Sequence, residues 1–368
     1  MIVKLPPPTP AAWPRPAPEA CGFDKARLDA AVAFAEAHET PWPYDLAGHL
    51  GRGFFEPPPH NEILGPLRPR AAPCGMVTRH GALVASWGDT REPSQTFSVA
   101  KSYLCLLAGI AVADGLIGDL DERVGATVRD GGFDGPRNGA ITWRMLLQNT
   151  SEWEGELFGK HDSVDRGRNL GVEGQGRKGS RELKAPGTHW EYNDVRVNRL
   201  SLALLRRFQR PLPMVFAERI LGPIGGSDTW CWEGYRTSWV TLEDGRRVQS
   251  VPGGTHWGGG VTISAEDQAR IGLLALQGGR WGERALLPRD WIAQSTTPCA
   301  LNPAYGFLWW LPTRDRYPSA ARDAFFASGA GGNLTWIEPS SGIVAVLRWT
   351  DPAAMDDFIA RVRGALAE

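Results

Sequence analysis

The chain has 368 residues, with 40 basic and 41 acidic side chains and a formal net charge of −1. That length suits one large domain or two, with a substantial buried core. The balanced charge excludes a protein built to neutralise phosphates and offers no attraction to an anionic membrane, so neither nucleic acid nor membrane is expected as a partner.

Residues 1–20 form a proline-rich arm, in which LPPPTPAAWPRPAP is unsuited to helix or central strand. The start lacks the apolar core of a secretory signal. Asp24 to Glu39 places Leu28, Val32, Phe34 and Ala35 near one side at helical spacing, with Asp24 as N-cap. The passage from Pro41 to Pro73 is irregular and expected to wrap the surface. CGMVTRHGALVASWGD then predicts two short strands around Arg79-His80-Gly81. SQTFSVAKSYLCLLAGIAVADG predicts a helix capped by Ser94 or Thr96 and ending near Gly115. Its apolar stretch from Tyr103 to Ala113 is too short to span a bilayer and reads as buried helix.

As far as Gly254 the chain mixes helical patterns (Thr142–Gln148, Val195–Phe208, Met214–Ile220) with glycine-rich loops. Strand patterns return in YGFLWWLP, FFASGAGGNLTWIEP and GIVAVLRWT, before a closing amphipathic helix. This order predicts an α+β fold: an antiparallel sheet flanked by N- and C-terminal helices. A mostly helical subdomain, residues 115–255, would be inserted within a single domain spanning 21–368. Five scattered cysteines without a C-x-x-C pair fit a reducing compartment, so a cytoplasmic location is expected.

The strongest chemical signal is Ser98-Val99-Ala100-Lys101. Residues three apart on a helix share a face, so the amine can reach the hydroxyl. Ser98 also falls at the helix start, where unpaired N–H groups favour developing negative charge. A serine needs its proton removed before it attacks. A lysine can act as that base only if its pKa falls, from about 10.4 to about 7.5, which is roughly 4 kcal/mol of differential interaction. The apolar run after Lys101 predicts the burial that would lower it. S-x-x-K alone is a weak motif, since a surface serine and lysine on a solvated helix spell the same letters.

SVAK after a hairpin, then LLQNTSEW, PGTHWEYND, GGTHWGGGVTISAEDQARIGLLAL and FFASGAGGNLTWIEP together resemble the β-lactamase-like serine hydrolases. That superfamily includes class C β-lactamases, D-alanyl-D-alanine peptidases, family VIII carboxylesterases and 6-aminohexanoate-dimer hydrolases. The resemblance covers residues 70 to 368, and the order of the blocks carries it. It implies a β-lactamase/transpeptidase-like fold, Ser98 as the acylated nucleophile, Lys101 as its partner and Tyr192 as general base or relay. It sets Ala327-Ser328-Gly329 where the lactamases have K-T-G, and it implies an oxyanion hole from the N–H groups of Ser98 and Ala330. Asn149, Asp194, Ser328 and Gly329 would adjoin the substrate, and some of Trp153, Trp190 and Trp257, which flank the matched blocks, would form an apolar pocket. His256 would line the pocket because the glycines of GGTHWGGG allow close backbone approach, with a structural turn role as the competing reading.

Two departures from the family pattern shape the expected substrate. Asp194 stands where Y-x-N has asparagine, and Ala327 replaces the lysine that grips a carboxylate. Both favour an uncharged small ester, with short linear amides or D-amino peptides second, over penicillins. A phenol beside a protonated lysine can also ionise, take the serine proton and return it to the leaving group, independently of the family. The competing reading makes Tyr192 a half-buried aromatic and Asp194 the N-cap of the next helix.

Gly174 to Gly179 spells G-x-G-x-x-G, but with no strand before it, so a flexible loop is expected. The basic stretch Lys160–Lys184 could border the pocket and offer a cation in place of the lysine missing at Ala327, but solvation is the favoured reading, and Glu152, Glu154 and Glu156 read as exposed. Seven histidines without paired spacing predict no metal site, and no cofactor is expected. A non-catalytic relative would have a broken S-x-x-K or lack the tyrosine, and neither is the case.

Overall fold

In the computed structural model, which describes residues 12–168, 170 and 181–367, the hairpin around His80-Gly81 forms as its turn chemistry requires. Strands β1 (Cys74–Arg79) and β2 (Ala82–Trp87) are joined by two residues at positive φ, His80 (50°) and Gly81 (85°). Such a pair matches the twist of the strands it links. Late in the chain come β3 (Phe325–Gly329), β4 (Asn333–Glu338) and β5 (Ile343–Arg348). All five make one antiparallel sheet in the order β3-β4-β5-β1-β2. The register from Cys74↔Arg348 to Arg79↔Ile343 joins its early and late halves.

β4 and β5 are buried along their whole length, so the sheet is covered on both faces. The helices that position it and the site are α1 (Lys25–Glu36), α2 (Val99–Ala113), α3 (Asp194–Phe208), α4 (Ala265–Leu276) and α5 (Met355–Gly364). α4 packs so closely that a Cβ on Gly272 would stand 2.6 Å from Val344 and 3.0 Å from Thr335. On the opposite face α5 meets β2 through Phe358 and Trp87, whose ring centroids are 5.7 Å apart, and α1 packs against α5. This is the expected α+β architecture, with N- and C-terminal helices against an antiparallel sheet.

Several local expectations change. Asp24 does cap α1, accepting from the Arg27 N–H at 3.0 Å, but the helix ends at Glu36. YGFLWWLP makes only isolated bridges, Tyr305↔Trp310 and Trp310↔Phe326. SQTF does not start a helix. Ser94–Gln95 pairs with Gly260–Ile263, which also pairs with Cys231–Glu233. Ser94 Oγ instead accepts from Trp349 Nε1 and the Ala71 N–H, so it is committed away from α2. Ser98 becomes the N-cap residue, and its hydroxyl makes no capping bond. The 41–73 passage does more than wrap the surface: Trp42, Leu46, Leu50 and Phe55 bury themselves with Phe97 and Trp349 as a second apolar cluster.

The charged middle segment is also less solvated than its composition suggests. Glu152 is fully buried, accepting from Arg181 Nη2 and Arg196 Nη1, both at 2.6 Å. Burial alone would raise its carboxyl, but Arg181, Arg196 and the Lys184 N–H together hold it at about 2. Arg196 also reaches Asp162 at 3.1 Å, tying α3 to the segment that carries Arg166 and Arg168. Glu154 and Glu156 are exposed as expected. The G-x-G-x-x-G sequence lies outside the described residues. Among the described residues no helix is long and apolar enough to cross a membrane.

Candidate active site

The turn into α2 sets the position of Ser98. Phe97, just before it, has φ 53°, a conformation that a bulky residue adopts only when its surroundings enforce it. The enforcement is aromatic: Trp42 and Trp349 meet the Phe97 ring edge-on, with centroids 5.3 and 6.1 Å away. Ser98 follows with its hydroxyl free of capping duty, above a helix buried from Val99 to Ala111. One turn on, Lys101 is 1% exposed, and its Nζ donates to Ser98 Oγ at 2.8 Å.

Lys101 also pairs with Asp194 Oδ1 and lies 4.7 Å from the centre of the Tyr192 ring. Gly254 closes over this group. A Cβ there would stand 3.1 Å from Lys101 Nζ and 3.3 Å from Ser98 Oγ, so even alanine would crowd the pair. Burial alone would lower the Lys101 pKa, but the Asp194 carboxylate outweighs it and holds the ammonium above its ordinary value. The depressed pKa that a lysine base requires is therefore absent, although the burial is as expected.

Asp194 organises the surrounding charges. Asn193, not Asp194, caps α3, accepting from the Arg196 N–H at 3.2 Å, which leaves the Asp194 carboxylate for the site. Its Oδ2 lies 3.0 Å from Arg168 Nη2 and 2.7 Å from His256 Nδ1. His256 Nε2 faces Glu56 Oε1 at 2.5 Å, so both ring nitrogens meet carboxylates. Asp165 accepts from the Asp194 N–H at 2.6 Å and pairs with Arg168. Burial would raise the Asp194 carboxyl, but Lys101, Arg168 and His256 reverse this and hold it well below the usual range. Arg168 is likewise held above its ordinary value by Asp165 and Asp194, against burial.

Glu56, Asp165 and His256 bring ligand-type atoms within 4.8 Å of one another. The Arg168 guanidinium already stands among them, 2.9 Å from His256 Nδ1, so the donor set suits that fixed cation better than a metal ion.

Ser98 opens into a cleft of about 580 Å³ whose wall includes Tyr192, His256, Trp310, Ser328, Gly329 and Ala330. The end of β3 is pressed against the nucleophile: a Cβ on Gly329 would be 2.0 Å from Thr96 O and 3.1 Å from Ser98 N. Only glycine permits that approach, which brings Ala330 beside Ser98. The arrangement offers a hydroxyl, a fixed ammonium, a phenol and a strand edge around one cavity, the parts needed for acyl transfer.

The family model for beta-lactamase matches residues 75–367. The chain belongs to the beta-lactamase family. Among solved structures, the fold is shared with a protein described as a 6-aminohexanoate-dimer hydrolase from Bacillus anthracis. That match has TM-score 0.55 and 18% identity, covering 79% of this chain and 77% of the other. EstCE1, a hydrolase with promiscuous acyltransferase activity, matches with TM-score 0.59 and 16% identity, over 94% and 99%. A penicillin-binding protein homolog from Caulobacter crescentus matches with TM-score 0.60 and 14% identity, over 92% and 98%. No curated protein matches.

In this beta-lactamase-family chain, the residues singled out from the sequence divide into two groups. Ser98, Lys101, Tyr192, Asp194, His256, Ser328, Gly329 and Ala330 gather at the cleft. Asn149, Trp153, Trp190 and Trp257 are absent from its described lining. Asn149 donates to the Tyr305 hydroxyl at 3.0 Å, Trp153 to Gly132 O at 2.6 Å, and Trp257 to His60 O at 3.0 Å. Trp190 packs edge-on against Tyr305, 5.3 Å between centroids. These polar-tipped rings are fixed in the protein, and the tryptophans on the cleft wall are Trp42 and Trp310. Glu56, Asp165, Arg168 and Arg316 are also at the site without having been singled out. Arg168 lies in the basic stretch read as solvated, yet its side chain is 3% exposed.

Proposed function

We propose that this chain is a serine hydrolase that cleaves small esters through an acyl-enzyme, as a carboxylesterase does. The observation that carries the reading is the 2.8 Å contact between Ser98 Oγ and a buried, protonated Lys101 at the base of an open cleft. Ser98 attacks the ester carbonyl. Its proton passes to the oxygen of Tyr192, which reacts as the phenolate with Lys101 and Arg168 as cations over its ring, because a protonated Lys101 has no lone pair to accept it. The ammonium stabilises the oxygen as it loses that proton, and the N–H groups of Ser98 and Ala330 hold the tetrahedral oxyanion. Such donors are worth about 3–4 kcal/mol each in other hydrolases.

Collapse breaks the C–O bond of the ester, and the departing alcohol takes the proton from Tyr192. Water then attacks the acyl carbonyl as Tyr192 accepts its proton, and the acid leaves as Ser98 regains its hydrogen. Asp194 is a positioning residue here, because its oxygens are occupied by Lys101, Arg168 and His256. A small-molecule substrate is the partner this requires, and no cofactor enters.

An amidase of short linear amides is the second reading, favoured by the shared fold with the protein described as a 6-aminohexanoate-dimer hydrolase. Matched pairs separate the two. p-Nitrophenyl butyrate is expected to be turned over at least about 100-fold faster than p-nitrobutyranilide, beyond their difference in intrinsic reactivity. Equal enzymatic acceleration of both, or faster anilide cleavage, transfers the assignment to the amidase. No acceleration of either leaves a ligand-binding relative.

A further inference from the structure

Alanine at position 327 removes the strand lysine and, by sequence alone, points to an uncharged substrate. The cleft nevertheless contains a cation from another element. Arg316 sits in a tight turn in which the Thr313 N–H donates to Arg316 O at 2.9 Å and the Arg316 N–H donates back to Thr313 O at 3.4 Å. Its guanidinium carbon lies over Trp310, 3.9 Å from the ring centre, and 5.3 Å from the centre of the Tyr317 ring. Both aromatic rings and Arg316 itself line the cleft that contains Ser98.

The polar engagements of this guanidinium are few. It makes one long contact, from Nη2 to Ser328 Oγ at 3.4 Å. Its Nε is buried without a hydrogen-bond partner among the described residues. It forms no ion pair there either, which sets it apart from Arg168, Arg181 and Arg196, each held by carboxylates. Of the acids on the wall near it, Asp356 accepts from the Ser319 N–H and hydroxyl at 3.0 and 2.8 Å and Asp351 from the Ala353 N–H at 3.0 Å, while Asp315, its neighbour in the chain, makes no ion pair with it. A guanidinium carries five donors in a planar fork that fits a carboxylate. The close contact with Trp310 restrains the side chain before anything binds, so less side-chain freedom is lost on binding.

We propose that Arg316 is the anchor for a carboxylate carried by the substrate, so that the preferred substrates are small esters bearing a free carboxylate. The inference rests on the reading of the Ser98 cleft as the hydrolytic site, and it names the class of molecule that site takes. Ser328 links the two, because it lies next to Gly329, which packs on the Ser98 backbone, and touches Arg316 through its hydroxyl. The cation missing from position 327 is thus replaced from the loop that precedes β3.

The test compares kcat/KM for esters that differ only in charge. The mono-p-nitrophenyl ester of glutarate carries the carboxylate on the acyl side, and 3-butyryloxybenzoate carries it on the alcohol side; each is paired with its methyl-capped form. For the wild type, at least one anionic ester is expected to exceed its capped partner by about 10- to 100-fold. Arg316→Met should reduce that ratio to about one, and Arg316→Lys should retain part of it. The capped ester serves as the measure of any general damage. Glutarate binding by calorimetry, present in wild type and lost in Arg316→Met, reads the anchor without requiring catalysis. Glutarate binding without ester turnover would support the anchor and overturn the hydrolase reading. Turnover with no charge preference, a preference that survives Arg316→Met, or no glutarate binding would overturn the anchor.

Discussion

Replacing Lys101 with alanine is expected to lower kcat for ester hydrolysis by about 10³–10⁴-fold with KM changed only a few-fold. A tenfold change in rate is 1.36 kcal/mol, so this assigns about 4–5.5 kcal/mol of transition-state stabilisation to the ammonium. The size follows from placement. Nζ is 2.8 Å from Ser98 Oγ, is shielded from water, and is held protonated by Asp194 against the tendency of burial to neutralise it. Negative charge gathers on Oγ only as the serine loses its proton, so the interaction strengthens in the transition state and is weak in the bound substrate. Lys101→Arg should not rescue, because a planar guanidinium cannot occupy the space that Gly254 and Asp194 leave for a compact ammonium. Steady-state kinetics of the three proteins read both points. A rate within tenfold of wild type for Lys101→Ala would remove the lysine from the mechanism.

Asp194→Asn, which restores the amide of the family's Y-x-N, is expected to cost about 3–5 kcal/mol of stability, measured as the shift of the urea midpoint at pH 7. Removing one partner of a buried ion pair leaves the other uncompensated. Here two buried cations, Lys101 and Arg168, lose the carboxylate they share. The pH dependence gives a signature that packing damage would lack. The folded-state pKa of Asp194 is depressed, so its contribution is complete above the unfolded value of about 3.9 and lost as pH falls through the lower folded value. Wild type should therefore lose stability to acid below about pH 4 more steeply than Asp194→Asn, and the two curves should converge there. Parallel curves over that range would mean that the carboxylate is not held ionised by its neighbours.

Much of the site was legible because helical spacing is local. Ser98 and Lys101 lie one turn apart in the sequence and one turn apart in space, and glycines in GGTHWGGG announced a close backbone approach, realised at Gly254. The antiparallel sheet was legible from the hairpin at His80-Gly81 and the strand patterns near the end, whereas the pairing of Cys74–Arg79 with Ile343–Arg348, 264 residues and more downstream, was not. Long-range charge pairing was not legible. Glu152 and the basic stretch after Lys160 read as solvated because their partners, Arg196 and Asp194, lie elsewhere in the chain. The same cause made Lys101 a candidate base: burial was visible in the apolar run, whereas the compensating carboxylate 93 residues away was not. The tryptophans were misplaced for a related reason. Proximity to a motif places a ring near the site, but its N–H partner decides which way it faces, as Gly132 does for Trp153 and His60 for Trp257.

Whether Ser98 becomes acylated is most directly read from the intact mass and peptide map of protein quenched within seconds of mixing with p-nitrophenyl butyrate. The mechanism predicts one butyryl group, on the peptide that contains Ser98, and the loss of both adduct and turnover in Ser98→Ala. Turnover by Ser98→Ala at the wild-type rate, or a butyryl group on any other residue, would contradict it.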